Sequence, residues 1–322
     1  MTESDGLLFG RGVVDNKYGV LTMTRAFLRL KRGGFVPERD LVLAFTGDEE
    51  TSMATTRLLA DRLRDAAFAI NADTGGGFRP KHGRPSYLLQ VAEKTYATFE
   101  IVARSEGGHP ARPSGDNAIY ELAAALQKLA AYRFPAQWSE LTLAGFAATA
   151  STVEGPLAEA LMRFVAVPGD PEALQVIERE AWLDVDLRTT CVATMLRAGQ
   201  VENALPTSAT ATVNCRILPG VPVADVAATL RSVLGNDALE VRLTGDVWEG
   251  PVSEPPAELH AALAAVLAVR EPAAVVTPYM EAGATDAVHF RRAGIPTFGV
   301  GPLFGSEDVS YNFHANDERL PI

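Results

Sequence analysis

Hydrophobic residues recur along the first part of the chain in two spacings, one typical of strands and one typical of helices. Residues 41–45 are continuously apolar, as expected for a parallel strand that is covered on both faces, and 67–71 form another short apolar strand that ends in Asn71. The stretches 18–31 and 55–66 repeat apolar residues at helical spacing. Because strands and helices alternate, the pattern predicts an α/β fold with a mostly parallel sheet.

The pattern changes at about residue 93. Residues 95–103 and 207–217 alternate apolar with polar positions, which is typical of half-exposed strands. Amphipathic helices are predicted over 116–134 and 223–234, and the α/β pattern returns after residue 250. We therefore expect one domain from residues 1–93 and 251–322, interrupted by an α+β domain from residues 94–250.

Composition and charge narrow the classes of partner. The chain has 322 residues and a net charge of −11, which argues against nucleic acid and anionic membranes as partners. No run of eighteen apolar residues predicts a membrane-spanning helix. Cys191 and Cys215 are far apart in apolar surroundings, and we interpret them as buried thiols.

Acidic residues follow the predicted strands at the edge where α/β sheets bind ligands. Asp48, Glu49 and Glu50 come directly after the apolar run 41–45, and Asp73 follows the next strand. By themselves these residues fit either a solvated acidic turn or a metal site. Asp15, before the first helix, fits either a helix N-cap or a further metal ligand.

Four further polar residues are candidates for the site, and their sequence contexts alone do not decide their roles. Arg216 lies on the polar face of a predicted strand, which suggests either a solvated edge or a clamp for a carboxylate. His109 is presented by a loop rich in glycine and proline. Thr285 precedes a short helix and is a plausible N-cap, and His314 lies near the end of the sequence.

Taken in order, these residues resemble one family: the dinuclear-zinc exopeptidases and amidohydrolases of carboxypeptidase G, aminoacylase, acetylornithine deacetylase, succinyl-diaminopimelate desuccinylase and carnosine dipeptidase. The resemblance extends from Gly10 to Glu318. The motifs that carry it are Gly10-Arg11-Gly12 with Asp15 and Lys17, Gly47-Asp48-Glu49-Glu50, Asp73, Gly108-His109, Asn117-Ala118, Asn203-Ala204-Leu205-Pro206 with Arg216, Gly283 to Asp286, and His314 with Asp317-Glu318.

The resemblance implies a zinc-exopeptidase-like catalytic domain with an inserted ferredoxin-like lid, through which two copies form a homodimer. It implies that Asp15 bridges two zinc ions, that Glu50 and His314 bind one of them, and that Asp73 binds the other. Glu49 is then the general base, and His109 stabilises the oxyanion, commonly in the neighbouring subunit's site. Asn203, Arg216 and Thr285 are expected to bind the substrate, a small peptide or N-acyl amino acid with a free carboxylate.

One departure from the family concerns a His-x-Asp motif, which lies upstream of the Gly-Arg-Gly stretch and supplies the second zinc with its imidazole. Only nine residues precede Gly10 here. We therefore expect an N-terminal truncation, a complete site for one zinc and an incomplete site for the other. The default compartment is the cytoplasm, although the expected truncation leaves a signal peptide open. Alternatives are a catalytically dead binding or dimerising protein, or carbamoyl or ester cleavage at the same site.

Overall fold

The computed structural model describes residues 1–113 and 115–322. Its strands are β1 (Thr2–Ser4), β2 (Leu7–Phe9), β3 (Ala69–Asn71), β4 (Gly76–Arg79), β5 (Ser86–Glu93), β6 (Thr95–Arg104), β7 (Thr190–Ala198), β8 (Ser208–Ile217), β9 (Glu240–Trp248), β10 (Val275–Glu281), β11 (Thr297–Gly299), β12 (Phe304–Ser306) and β13 (Arg319–Pro321). Its α-helices are α1 (Tyr18–Arg32), α2 (Ala54–Arg62), α3 (Ala118–Ala131), α4 (Glu140–Ala150), α5 (Pro156–Ala166), α6 (Pro171–Ile177), α7 (Ala181–Leu187), α8 (Val223–Leu234), α9 (Ala257–Arg270) and α10 (Ala287–Arg292).

The first domain is built on a six-stranded mixed sheet. Strand β10 runs parallel to β5, β11 to β3 and β12 to β4, whereas β4 and β11 run antiparallel to β5. Helix α9 packs Leu259, Leu263 and Leu267 against Leu89 and Phe298 of this sheet. The predicted α/β fold is confirmed. The carboxyl ends of β3 and β10 lead directly into Asp73 and the 283–286 loop.

The inserted sheet has four antiparallel strands in the order β7-β8-β6-β9. Alternating residues of β6 and β8 face α3 and α8 and form one apolar core, in which Phe99, Val213 and Leu230 are almost fully buried. The strict alternation seen in the sequence arises here, because one face of the sheet is covered by helices. The β-α-β-β-α-β order matches the expected ferredoxin-like lid.

The interpretation of the cysteines as free thiols is wrong. Cys191 of β7 lies directly opposite Cys215 of β8, with their Cα atoms 4.1 Å apart, and the two form a disulfide. Antiparallel pairing brings together residues that are 24 positions apart, a contact that spacing alone does not reveal.

Helices α4 to α7 lie between α3 and β7 and have their own core around Phe146, Leu161 and Phe164. Helix α4 packs on β10 of the first domain rather than on the lid sheet alone. This helical insert therefore borders the strand that leads into the 283–286 loop. The domain limits at residues 93 and 251 stay a prediction.

The predicted strand at 41–45 is wrong. The segment is extended but pairs with no strand among the described residues, and Leu41, Val42 and Phe45 are 50%, 61% and 53% exposed. A strand needs backbone partners on a neighbouring strand, and the described part of the chain offers none beside this segment. Apolar residues of α1, including Val20 and Leu21, are also exposed.

Within the described residues, no helix is both long enough and apolar enough to cross a bilayer.

Candidate metal centre

Three residues from distant parts of the sequence meet as a set of metal-ligand atoms. Oxygen atoms of Asp15 and Glu50 and a ring nitrogen of His314 lie within 4.8 Å of one another. His314 Nε2 is 2.8 Å from Asp15 Oδ2 and 3.7 Å from Glu50 Oε1. Asp15 precedes α1, Glu50 lies in the turn before α2, and His314 lies in the loop before β13. The fold thus assembles one imidazole and two carboxylates at a single point.

Two further acids lie against this set and are more buried. Burial, together with the nearby charge of Asp73 and Asp286, raises the pKa of Glu49 to about 8. Burial and the charges of Asp15 and Asp286 raise the pKa of Asp73 to about 7. Mutual repulsion among so many carboxylates is relieved by protons or by a cation. The arrangement therefore favours a positively charged ligand.

Asp286 completes the acidic cluster and is held by two threonines from the segment that carries Glu49. Thr46 Oγ1 and Thr56 Oγ1 both donate to its carboxylate. Thr56 is fully buried. Asp286 belongs to a motif of the resembled family, but the sequence analysis predicts no role for it. The sequence feature that could have identified Asp286 as a site residue is its position directly after Thr285, at the start of a short helix.

Glu318 anchors the loop that carries Asp15. Its carboxylate accepts hydrogen bonds from the backbone N–H groups of Gly12 (2.8 Å), Val14 (3.0 Å) and Asp15 (3.1 Å). Arg11 forms an ion pair with the same side chain at 3.2 Å. Burial alone would raise the pKa of Glu318, but these donors outweigh burial and lower it below its usual value. The motif of His314 with Asp317-Glu318 identifies Glu318 in the sequence, but only the structure shows which backbone groups it binds.

Asp48 has a structural task in the turn before α2. Its carboxylate accepts from the backbone N–H groups of Ala54 (2.7 Å) and Thr55 (3.1 Å) and from the Ser52 hydroxyl at 2.7 Å. The hydroxyls of Thr55 and Ser52 and these backbone donors lower the pKa of Asp48 to about 2. Asp48 therefore fixes the turn from which Glu49 and Glu50 project in different directions.

Thr285 is buried, and its hydroxyl forms three hydrogen bonds within the protein. Its hydroxyl donates to Glu93 and accepts from Asn71 Nδ2 at 3.2 Å and from the Ala287 N–H at 3.1 Å. Glu93 in turn pairs with Arg291 at 3.2 Å, and both side chains are nearly inaccessible. These contacts position the 283–286 loop, and the expected role of Thr285 in substrate binding stays a prediction.

Arg216 lies where the lid joins the first domain. Its guanidinium stacks over the Tyr96 ring at 4.6 Å, and Nε donates to Asn214 at 3.0 Å. Nη1 is buried and has no hydrogen-bond partner among the described residues. A buried guanidinium with a vacant donor suits a carboxylate ligand. This geometry favours the clamp over the solvated edge, and the clamp remains a prediction.

His109 and Asn203 are not brought to the metal centre in this chain. Both are exposed, and their loops are joined by a β-bridge between Gly108 and Leu205. They lie beyond the Arg104 end of β6, whereas Glu93 lies beyond its Thr95 end. About 30 Å of strand separates these ends, at roughly 3.3 Å per residue. The expected roles of His109 and Asn203 stay predictions.

The residues present fit one zinc ion. Zinc in catalytic sites binds three protein ligands of nitrogen and oxygen type, and Asp15, Glu50 and His314 supply that set. A second ion next to Asp73 would have fewer potential ligands. Within the described residues, Asp15, Glu50 and His314 are the one group of three potential ligands brought together, and it contains no second imidazole.

The chain is similar to known proteins along nearly its whole length. The chain matches the model of the peptidase family M20/M25/M40 over residues 1–322. It is 24% identical over 331 residues to the human N-fatty-acyl-amino acid synthase/hydrolase PM20D1, and this match covers 99% of the chain and 65% of that relative. It is 26% identical to the probable carboxypeptidase S-like 2 of Dictyostelium discoideum, with coverage of 99% and 63%. The chain thus spans slightly less than two thirds of these relatives.

Solved structures show the same fold. The metallo-carboxypeptidase Sso-CP2 of Sulfolobus solfataricus superposes with a TM-score of 0.67 at 17% identity, covering 99% of this chain and 75% of that one. Human carnosine dipeptidase 1 superposes with a TM-score of 0.60 at 16% identity, with coverage of 100% and 71%. The motifs, the fold and the match along the whole sequence confirm the resemblance, and the chain belongs to the peptidase family M20/M25/M40.

Proposed function

We propose that this chain hydrolyses an amide bond in a peptide or an N-acyl amino acid. The observation that carries the proposal is the meeting of Asp15, Glu50 and His314, with Glu49 next to them. The relatives named as an N-fatty-acyl-amino acid hydrolase and as a carboxypeptidase support this class of bond. The free carboxylate of the substrate is assigned to Arg216, whose Nη1 has no partner among the described residues.

The metal of this proposal is zinc, held by Asp15, Glu50 and His314, with Asp73 placed for a second ion. Bound zinc supplies a Lewis acid and lowers the pKa of water to about 7. Glu49 takes the proton of the attacking water and returns it to the leaving amine. Asp286, fixed by two threonine hydroxyls, adds negative charge that raises the pKa of Glu49 and so makes its carboxylate a stronger proton acceptor.

A homodimer formed through the lid domain completes the site. The partner subunit's His109 would donate to the oxyanion of the tetrahedral intermediate, and the partner subunit's Asn203 would contact the substrate. The exposure of both residues and their distance from the metal centre of their own chain support this arrangement.

Two variants separate the roles of the adjacent glutamates. Glu49→Gln is expected to retain zinc by elemental analysis and to lose turnover by about 10²–10⁴-fold, the usual contribution of a general base. Glu50→Gln is expected to lose zinc as well as turnover. Glu38→Gln, at an exposed position away from the cluster, serves as control. Ordinary turnover by Glu49→Gln, or zinc binding with no turnover on any peptide or N-acyl amino acid, would overturn the proposal.

A further inference from the structure

A cavity of about 360 Å³ lies between the helical insert and the first domain. Helices α4 and α7 form one side and β10 forms the other. Its volume falls in the range of small-molecule pockets, roughly 300–1,000 Å³, and is far larger than the voids of a packed interior. None of the residues that line it has a role in the hydrolysis proposed above.

The walls of the cavity are mainly apolar. Leu141 and Phe146 of α4, Leu183 of α7 and Met280 of β10 contribute aliphatic and aromatic surface. Two tryptophans, Trp138 and Trp182, also line it and are themselves partly exposed. Such a lining suits an alkyl or aryl group and disfavours a charged one.

One end of the cavity adjoins the candidate metal centre. Tyr279 and Glu281, at the carboxyl end of β10, line the cavity and also contact Thr74, the residue that follows Asp73. Glu281 further accepts from the Gly283 N–H at 2.9 Å, in the loop that leads to Asp286. The cavity therefore borders the segment that carries Asp73 and the loop that leads to Asp286.

The polar lining groups lie near the same end. Asp186 of α7 and Glu281 are close enough for their charges to interact, and Lys94 and Arg216 are each close to one of the two acids. A substrate whose carboxylate is held by Arg216 would thus have the apolar part of the cavity within reach.

We propose that this cavity is the subsite for an apolar substituent of the substrate, an alkyl or aryl group of an N-acyl amino acid or peptide. The inference rests on the proposed amide hydrolysis and deepens it, because it makes the helical insert the part of the chain that selects the substrate. The apolar group enters beside Tyr279 and Glu281 and lies along α4.

Two series of ligands distinguish the two sources of such a group. The first varies the acyl chain on glycine from acetyl to octanoyl, and the second varies the amino acid of N-acetyl compounds from glycine to leucine and phenylalanine. Quenching of tryptophan fluorescence reports binding, since Trp138 and Trp182 line the cavity. The signal should disappear when both are replaced by phenylalanine, which leaves Trp248.

In the series that the cavity accepts, the dissociation constant should fall about fourfold per methylene, corresponding to about 0.8 kcal/mol, until the cavity is full. Thr149→Phe, which adds volume to the cavity wall on α4, should abolish this gain. The matched control is Ala144→Phe, at an exposed position of the same helix. Val252→Phe, on a lining loop, repeats the test if the helix variant does not fold.

The outcomes separate the subsite from the proposed function. Equal affinities along both series, or equal behaviour of Thr149→Phe and Ala144→Phe, would overturn the subsite even if N-acetyl amino acids are hydrolysed. Chain-length-dependent binding that Thr149→Phe removes would support the subsite, and absence of turnover in the same samples would overturn only the proposed hydrolysis.

Discussion

Glu318 holds Asp15 through the backbone: its carboxylate oxygen Oε1 accepts the Asp15 N–H at 3.1 Å, and Glu318 is 1% exposed. The same carboxylate accepts the N–H groups of Gly12 and Val14. Glu318 thus sets the position of Asp15, which we propose as a metal ligand. Groups that orient a metal ligand without binding the metal typically contribute about 10–100-fold to metal affinity.

Glu318→Gln should therefore weaken zinc binding although it leaves every ligand in place. Loss of the charge from three backbone donors loosens the Asp15 loop, and we expect a drop of about 10–100-fold in affinity. Isothermal titration of the metal-free protein with zinc measures it. The exposed Glu307→Gln is the matched control, and an equal affinity for both variants would contradict the role of Glu318.

The buried pair of Glu93 and Arg291 gives a stability prediction. Arg291→Met leaves the Glu93 carboxylate without its cation, and removal of one partner of such a pair costs about 3–5 kcal/mol. Urea denaturation measures the loss. The double variant Glu93→Gln with Arg291→Met should regain part of it, because no uncompensated charge remains. A double variant less stable than Arg291→Met would show that the carboxylate stabilises the fold by itself.

Asp186 gives a dependence on pH. Burial raises the pKa of Asp186 to about 7, and the nearby Lys94 partly offsets this increase. Since the pKa in the folded state exceeds the ordinary value of 3.8 for an aspartate, stability falls as pH rises from about 4 to 7. Burial lowers the pKa of Lys94 to about 8, so at pH 9 the ionised Asp186 also lacks a charged partner.

Asp186→Asn should therefore raise the thermal midpoint at pH 9 by about 1–2 °C, corresponding to roughly 1 kcal/mol, and change it little at pH 5. Differential scanning calorimetry at both pH values provides the comparison. The exposed Asp65→Asn should show no such difference. A gain of the same size at pH 5 would mean that charge is not the cause.

The disulfide predicts a loss of stability on reduction. Closing a loop of 24 residues between Cys191 and Cys215 is worth about 3 kcal/mol in the chain-entropy description. Urea denaturation with and without a thiol reductant should show this difference for the natural chain. In the double variant Cys191→Ala with Cys215→Ala the reductant should have no effect, and an effect there would point to another cause.

Parts of the fold could be predicted because their signal is local. Alternation identified β6 and β8, and helical spacing identified α1 and α8 with nearly correct ends. The acids of the site were also identifiable, since each follows an apolar run or precedes a helix. All of these features can be identified from the residues next to them in the sequence.

The remainder depends on partners that are distant in sequence. Residues 41–45 have the composition of a buried strand, but no described strand pairs with them. The Cys191–Cys215 bond depends on strand register, and the role of Glu318 depends on backbone groups about 300 residues away. Asp286 was visible in a motif, but Thr46 and Thr56 as its donors were not.

The disulfide also restrains the direction in which Arg216, the proposed substrate-binding residue, points. Cys215 directly precedes Arg216, and successive residues of a strand face opposite sides of the sheet. A shift of β8 by one residue against β7 would turn the guanidinium from Tyr96 into the apolar core beneath the sheet. The covalent bond between the two strands excludes that shift, so oxidation of a cysteine pair protects the orientation of the arginine beside it.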